Sequence, residues 1–314
     1  MSFLKKIFSV VPKYYDKGYV KFDVLKIFGK NCFYIYRGYK VDGGYADKFN
    51  KYFNNNDMSL KVKNLKQDMD EISCNYIDHF MYLSKYWKKY LRTGYWSNYD
   101  KNLINKYEKM GFKQPFPEIA TFRGETFNNK YGLVDLPKDA IDYVNGKDII
   151  DAGGCDGDTA LIFHGLFPKS KIYVYEPLSV YLNTVRKIAD KVNSNDGETI
   201  IPVHKGLGDK QEITNITFRE YSENCDITTI DKDYKGNNLG LIKMDTEGFE
   251  SLIVKGSEDV IKKYKPVMVI AIYHTPEDFF DMKDKLKKLN PDYRFMIRRS
   301  EFIHPTIEYV LIAY

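Results

Sequence analysis

Apolar positions recur with two different periods along the chain. Over residues 19–41 aromatic and aliphatic side chains alternate with polar ones, as in Cys32-Phe33-Tyr34-Ile35-Tyr36, which predicts one or two short strands. Over residues 60–110 the interval lengthens to three or four, with Ile72, Tyr76, Phe80 and Leu83 on one face. That spacing predicts two or three helices, broken near Thr93-Gly94 and ending at Gly111. Pro115 and Pro117 read as a linker, and Leu136-Pro137-Lys138-Asp139 opens another helix. Strand and helix then alternate. Apolar runs at 149–150, 171–175, 200–203, 239–245 and 267–273 are separated by helical segments, one carrying Tyr181, Val185, Ile188 and Val192 on a single face. This order predicts a parallel sheet covered by helices on both faces, with its ligand at the carboxyl ends of the strands. The tail breaks the rhythm: 293–299 and 307–314 are two strands with no helix between them, so they should pair antiparallel. The expected architecture is α/β. A mixed or helical accessory region, residues 1–125, precedes a domain, residues 126–314, whose mostly parallel sheet ends in an antiparallel hairpin. The accessory region is expected to act as a cap or a homo-oligomer contact, its aromatic stripe serving as core.

The stretch 148–159, D-I-I-D-A-G-G-C-D-G-D-T, joins a strand to a helix through a glycine turn, where a ligand can approach backbone N–H groups. A dinucleotide turn needs G-x-G-x-x-G. Counted from Gly153, the third position is Cys155 and the sixth is Asp158, so that pattern fails. What stands here is D-x-G-x-x-x-G followed by Asp158, and acids before and after the turn repel a pyrophosphate. They suit a ligand bearing an ammonium and a sulfonium, which is S-adenosylmethionine (SAM). Asp151, Gly153, Gly154, Gly157, Asp158 and Thr159 are the expected contacts, the alternative being a turn that merely reverses the chain. Glu176, followed by Pro177, ends the second strand, where a carboxylate can accept both ribose hydroxyls of an adenosine. NAD enzymes place an acid likewise, so Glu176 alone does not name the cofactor. Gly208 and Asp209 after the third strand are expected either to wall the adenine or to form a polar turn.

A second stretch, I-K-M-D-T-E-G-F-E at 242–250, puts Lys243 and Asp245 on one side of a strand. A lysine within a covered sheet is costly unless paired, so Lys243 either takes part in the chemistry or forms a buried ion pair with Asp245. Asp245 and Glu247 could orient an acceptor hydroxyl, take its proton or hold a divalent cation, and no metal is assigned; Asp245 is also among the expected cofactor contacts. In Y-H-T-P-E-D at 273–278, Thr275, Pro276 and Asp278 form a helix-capping pattern. His274 precedes it at the ligand-facing edge with a pKa suited to a base. Arg298-Arg299 is either a solvated pair or a grip on an acceptor's phosphate or carboxylate.

Composition narrows the partners. Against 48 Lys and Arg stand 43 Asp and Glu, a net charge of +5, and the basic residues are interspersed with acids, as at Lys262-Lys263 after Glu258-Asp259. That is the pattern of solvated helix faces, and no nucleic-acid partner is expected. The 27 Tyr and 20 Phe follow from an A/T-rich codon bias as readily as from stacking surfaces. The four cysteines form no C-x-x-C pair, which points to a reducing compartment without structural zinc. After Lys5-Lys6 only a short apolar run precedes Pro12, too short for a signal-peptide core, and no stretch reaches the length of a membrane span. A cytoplasmic location is expected, with surface attachment through Phe3, Leu4, Ile7 and Phe8 as the alternative.

From about Tyr131 to the C-terminus, these stretches together with Y-V-Y-E-P at 173–177 resemble the FkbM family of SAM-dependent methyltransferases. Family members typically carry alanine and asparagine where Gly154 and Cys155 stand, so contacts to the methionine part of the cofactor should differ. The resemblance implies a Rossmann-like class I methyltransferase fold, SAM as cofactor with S-adenosylhomocysteine as product, and O-methylation of a sugar or polyketide-like hydroxyl. The expected function is methylation of a sugar hydroxyl on a surface glycan or its nucleotide-linked precursor, with His274 or Asp245 as base and Lys243 and Glu247 beside them. Two other readings stand. One is a non-catalytic module that keeps the SAM pocket as a scaffold in glycan assembly; the other is an NAD-dependent sugar enzyme, which the glycine spacing disfavours.

Overall fold

The computed structural model describes residues 8–15, 20–27, 30–39, 44–85, 96–303 and 305–314. The expected helix break at Thr93-Gly94 and the surface residues Phe3, Leu4 and Ile7 lie outside them. Strands β1 (Phe8–Tyr15), β2 (Val20–Ile27) and β3 (Lys30–Tyr39) form an antiparallel sheet in that order. β2 and β3 are the two strands expected from residue 19 onward, and β1 precedes that stretch. Among the described residues β1, which contains Pro12, pairs only with β2; an edge strand tolerates a residue that cannot donate to a ladder.

Four helices follow: α1 (Gly44–Asn55), α2 (Met58–Lys66), α3 (Glu71–Lys85) and α4 (Asn98–Met110). Their ends are written locally. The Asp57 carboxylate accepts from the N–H groups of Ser59 and Leu60, the Ser97 hydroxyl accepts from that of Asp100, and Gly111 ends α4 at φ 69°. Tyr76, Phe80 and Leu83 are buried, and Phe80 stacks on Phe279 with centroids 4.0 Å apart. The helical stripe is therefore core, and it is continuous with the core of the sheet.

A short helix α5 (Gly124–Asn128), a 3-10 turn (Lys130–Asp135) and α6 (Lys138–Val144) lead into the central sheet. In chain order its elements are β4 (Asp148–Ala152), α7 (Asp158–Leu166), β5 (Ile172–Tyr175), α8 (Ser179–Asp196) and β6 (Ile200–Val203). After a three-stranded excursion come α9 (Ile230–Asp233), β10 (Leu239–Met244), α10 (Glu250–Lys255), α11 (Glu258–Tyr264) and β11 (Val267–Ala271). Helix α12 (Pro276–Leu289) and strands β12 (Phe295–Arg299) and β13 (Tyr309–Ala313) close the chain. The sheet order is β12-β13-β11-β10-β4-β5-β6, parallel from β11 through β6, with β13 antiparallel to both neighbours. The expected antiparallel pair is present, and its second strand is the one inserted against β11.

Side chains partition by the two-residue period of a strand. Ile150, Ala152, Ile242 and Met244 face a core built with α3 and α12, whereas Ile149 and Leu241 face one built with α6, α7 and α8. Both faces are thus covered, which is why these strands read as unbroken apolar runs.

Two expectations fail here. Arg298 and Arg299 are neither solvated nor turned to a ligand. Arg298 is 6% exposed and grips Asp70 through both terminal nitrogens, at 2.6 and 3.2 Å, and Asp135 through Nε at 2.9 Å, which ties the N-terminal helices to β12. The Arg299 guanidinium lies 4.2 Å from the Tyr309 ring centroid and donates to the carbonyls of Pro305 and Ile307. The excursion was also unread: β7 (Gly206–Leu207), β8 (Glu212–Phe218) and β9 (Tyr221–Thr228) form a small sheet ordered β7-β9-β8. Its hairpin turns through Arg219-Glu220, with Arg219 at φ 55°, and lacks the Asn-Gly or Asp-Gly signal that betrays such a turn in sequence.

Candidate active site

The carboxyl ends of β4, β5, β10 and β11 open onto a cavity of about 640 Å³. Gly153, Cys155, Asp156, Asp158 and Thr159 line it after β4, Glu176 and Pro177 after β5, Asp245 and Glu247 after β10, and Tyr273 after β11. Tyr131 enters from the 3-10 turn, Glu301 and Glu308 from the β12–β13 connection, and residues 215–219 of the β8–β9 hairpin cover one side.

The glycines of the turn divide their tasks. Gly153 has φ 78°, and a Cβ there would fall 2.0 Å from the Asp245 carbonyl oxygen; only glycine lets the loops after β4 and β10 cross at the cavity floor. Gly154 and Gly157 do not line the cavity. A Cβ on Gly154 would lie 2.1 Å from Val174 Cγ1, and one on Gly157 2.8 Å from Ile188 Cδ1, so both seat the turn against β5 and α8.

Lys243 is 2% exposed and its partner is Asp151, not the expected Asp245. Its Nζ lies 3.0 Å from Asp151 Oδ1 and donates to the Gly153 carbonyl at 2.7 Å, while Thr159 Oγ1 donates to Asp151 Oδ2 at 2.5 Å. Burial pulls the lysine pKa down, but Asp151 and Asp245 more than offset it, so the ammonium keeps its proton. Asp151 is fully buried and reaches no cavity surface. Its carboxylate secures the glycine turn from beneath, and the ligand contact expected of it gives way to that role.

Glu176 is 5% exposed; its Oε2 accepts from the Cys155 N–H and its Oε1 from the Leu178 N–H, both at 2.9 Å. Burial raises its pKa against the pull of these two donors. Gly206 and Leu207 line the wall beside it, whereas Gly208 and Asp209 turn away. The Gly208 N–H donates to the Thr228 carbonyl at 2.9 Å and Asp209 pairs with Lys255 at 2.7 Å, so the polar-turn reading holds for those two.

Beyond the glycine turn the cavity is acidic. Tyr131 donates its hydroxyl to Asp245 Oδ2 at 2.6 Å, and the Tyr273 hydroxyl lies 3.4 Å from both Asp245 Oδ1 and Glu308 Oε1. Burial, then the neighbouring carboxylates, push Glu301 and Glu308 up to about 8, and burial also raises Asp158 well above the carboxylate range. Lys130, Tyr131 and Gly132 are all left-handed, at φ 54°, 54° and 83°, which is strained for the first two. That backbone delivers the Tyr131 hydroxyl to Asp245.

His274 stands behind this surface. It is 1% exposed and does not line the cavity; Nδ1 lies 2.9 Å from Glu250 Oε1, and Nε2 lies 3.6 Å from Asp245 Oδ1 and from Glu247 Oε2. Burial lowers its pKa, but Glu250 foremost, then Glu247 and Asp245, raise it to about 10. An imidazolium so held is no proton acceptor at neutral pH, and the expected base role of His274 gives way to an electrostatic one. Asp245, Glu250 and His274 also bring one ligand atom each within 4.8 Å of the others, a donor set whose chemistry suits a divalent cation once the ring is deprotonated.

Residues 151–295 match the model of the Methyltransferase FkbM domain. This part of the chain is an FkbM methyltransferase domain. Among solved structures, the chain is similar to methyltransferase FkbM from Methylobacillus flagellatus, with a TM-score of 0.61 at 18% identity over 88% of this chain and 62% of that one. It therefore spans less than two thirds of that protein's length, and at this identity the likeness is one of fold. Precorrin-6y C5,15-methyltransferase from Geobacter metallireducens gives a TM-score of 0.40 at 13% identity, covering 63% of this chain and 95% of its own. A SAM-dependent O-methyltransferase from Thermotoga maritima gives 0.38 at 13% identity, covering 67% and 70%. Scores this low carry no argument. No curated protein matches the chain.

Several cavity residues were invisible in sequence. Tyr131, Glu301 and Glu308 lie outside the FkbM match and in no motif, and residues 215–219 sit in the unread hairpin. Only the alternation of Thr214, Ile216 and Phe218, half-buried in β8, signalled that a strand was there.

Proposed function

We propose that the protein transfers a methyl group from SAM to a sugar hydroxyl, with Asp245 receiving the hydroxyl proton. The observation that carries this reading is that one cavity joins the strand-end carboxylate Glu176 to the Tyr131–Asp245–Tyr273 network. The residues fit SAM. Both Glu176 oxygens are oriented by backbone donors and keep lone pairs for a ribose diol. Gly153 lets the loops after β4 and β10 meet at the floor, Leu207, Ile227 and Pro177 give an apolar wall for a base, and Asp156 is an acid of the kind an ammonium or sulfonium needs.

SAM, when bound, supplies a methyl group already activated by its positive sulfur. The protein's own task is alignment and proton removal. The Tyr131 hydroxyl occupies Asp245 Oδ2 and leaves Oδ1 toward the acceptor, with Tyr273 at its edge. The buried imidazolium of His274 lies 3.6 Å from Asp245 Oδ1.

The test is turnover with methyl-labelled SAM over a glycan and sugar panel, comparing the parent with Asp245→Asn. The variant should bind S-adenosylhomocysteine as the parent does and lose about 100-fold or more in turnover, the range for a positioned base. Parent-like turnover of Asp245→Asn would remove Asp245 from the role. Failure of the parent to bind SAM or S-adenosylhomocysteine would sink the enzyme reading.

A further inference from the structure

The cavity changes character where it passes Asp245. Glu247 approaches from the turn after β10, and Glu301 and Glu308 from the β12–β13 connection, so four carboxylates with Asp245 border the acceptor's space. Glu308 is 8% exposed; its Oε2 accepts from the Ser300 hydroxyl at 3.1 Å, and its Oε1 lies 3.4 Å from the Tyr273 hydroxyl. Cations are few and engaged. Among the described residues lining the cavity, Arg123 lies 3.7 Å from both Glu125 and Glu301, and Lys243 points its ammonium at Asp151 and the Gly153 carbonyl. Arg219 stands at the tip of the β8–β9 hairpin, over the Phe218 ring at 5.0 Å, on the side of Cys155 and Tyr181. Burial, then neighbouring carboxylates, hold Glu301 and Glu308 at about 8, so this end of the cavity opposes its own negative charge and carries it in full only above that pH.

Resting on the methyl-transfer reading, we infer that the acceptor is a phosphate-free sugar, neutral or amine-bearing, and that the site excludes the 1-phosphorylated or nucleotide-linked form of that sugar. The reason is reach. A phosphate on the anomeric carbon sits within one ring's width of every ring hydroxyl. A hydroxyl presented to Asp245 would therefore carry the phosphate in among Glu247, Glu301 and Glu308. Phosphate sites are built from arginine forks, lysines and helix N–H groups, and this wall offers acceptors in their place. Sugar hydroxyls and ammonium groups are donors, and carboxylates are the side chains that receive them. The choice separates a sugar already joined in a glycan from its activated precursor. It places methylation at or after glycosyl transfer in the reaction sequence.

Calorimetry at about pH 9, where Glu301 and Glu308 are ionised, on the full chain saturated with S-adenosylhomocysteine tests this. The ligands are the methyl glycosides and the 1-phosphates of glucose, galactose, mannose, rhamnose and fucose, with glucosamine and galactosamine. At least one glycoside or amino sugar should bind, and its 1-phosphate should bind about 100-fold more weakly, as like-charge juxtaposition dictates. Joint replacement Glu301→Gln and Glu308→Gln should shrink that ratio to about tenfold while S-adenosylhomocysteine affinity, the check on folding, stays at the parent value. A 1-phosphate that binds as well as its glycoside overturns the inference. So does a ratio unmoved by the double replacement, or a series in which no sugar binds the complex. Failure to bind S-adenosylhomocysteine at all strikes at the methyl-transfer reading itself and takes this inference with it.

Discussion

Replacing Lys243 by methionine separates a structural lysine from a catalytic one. Lys243 and Asp151 are 2% and 0% exposed, 3.0 Å apart, and the same ammonium serves the Gly153 carbonyl. Methionine keeps the volume of the stem but strands the Asp151 carboxylate in the core with the Thr159 hydroxyl as its remaining donor. Removing one partner of a buried pair costs about 3–5 kcal/mol, a large share of the roughly 5–15 kcal/mol that holds a whole domain together. With an m-value of about 3 kcal/mol/M, the urea midpoint should fall by roughly 1–2 M. Adding Asp151→Asn removes the second charge and leaves an amide oxygen for Thr159. Because a buried pair replaced as a unit is often neutral, the double variant should return to within about 1–2 kcal/mol of the parent. Urea unfolding followed by tryptophan fluorescence, with S-adenosylhomocysteine binding measured on each folded protein, reads both effects. A single variant with an unmoved midpoint, or a double variant no more stable than the single, would refute the reasoning. A double variant that folds and binds S-adenosylhomocysteine yet turns nothing over would return Lys243 to the catalytic groups.

Gly153→Ala puts a Cβ 2.0 Å from the Asp245 carbonyl at φ 78°. Overpacking of this kind costs about 1–3 kcal/mol, and calorimetry should show SAM affinity down by at least about tenfold; unchanged affinity would mean the two loops do not form the floor of the cofactor site. Stability should fall as pH rises. The folded state holds His274 at about 10 against 6.5, and Glu301 and Glu308 at about 8 against 4.5, so it binds protons that the unfolded chain releases. Their stabilisation is complete below those unfolded values and lost through the folded ones. His274→Gln should flatten the pH 6.5–10 part of the profile and Glu308→Gln the pH 4.5–8 part, and stability rising across that window would contradict the assignment. Turnover should be the same with and without EDTA, because the carboxylates around His274 hold a proton on the ring; loss with EDTA and recovery with magnesium or manganese would show the donor set occupied by a cation instead.

Sequence determined what local chemistry and period can write. The alternation of apolar runs with amphipathic helices set the sheet, its two covered faces and its ligand edge, since strands buried on both sides must be apolar throughout. Glycine at Gly153 and the acid of Glu176 marked where a nucleoside-bearing cofactor could lie, and the combination of stretches named the FkbM family. Partner choice was decided only by the tertiary structure. Whether Lys243 meets Asp151 or Asp245 depends on the register of β10 against β4, which pairs Lys243 with Asp151, and no spacing along one strand encodes that. His274 keeps its proton because Glu250, at the start of α10, meets one ring nitrogen and Glu247, in the turn before it, faces the other, and Arg298 is buried because Asp70 lies across the sheet edge. Tyr131, Glu301 and Glu308 reach the cavity from beyond the matched domain. Their sequence surroundings are ordinary; their electrostatics belong to a cavity that exists only once the chain has folded, so the acidic face of the cavity was set by packing and not by motif.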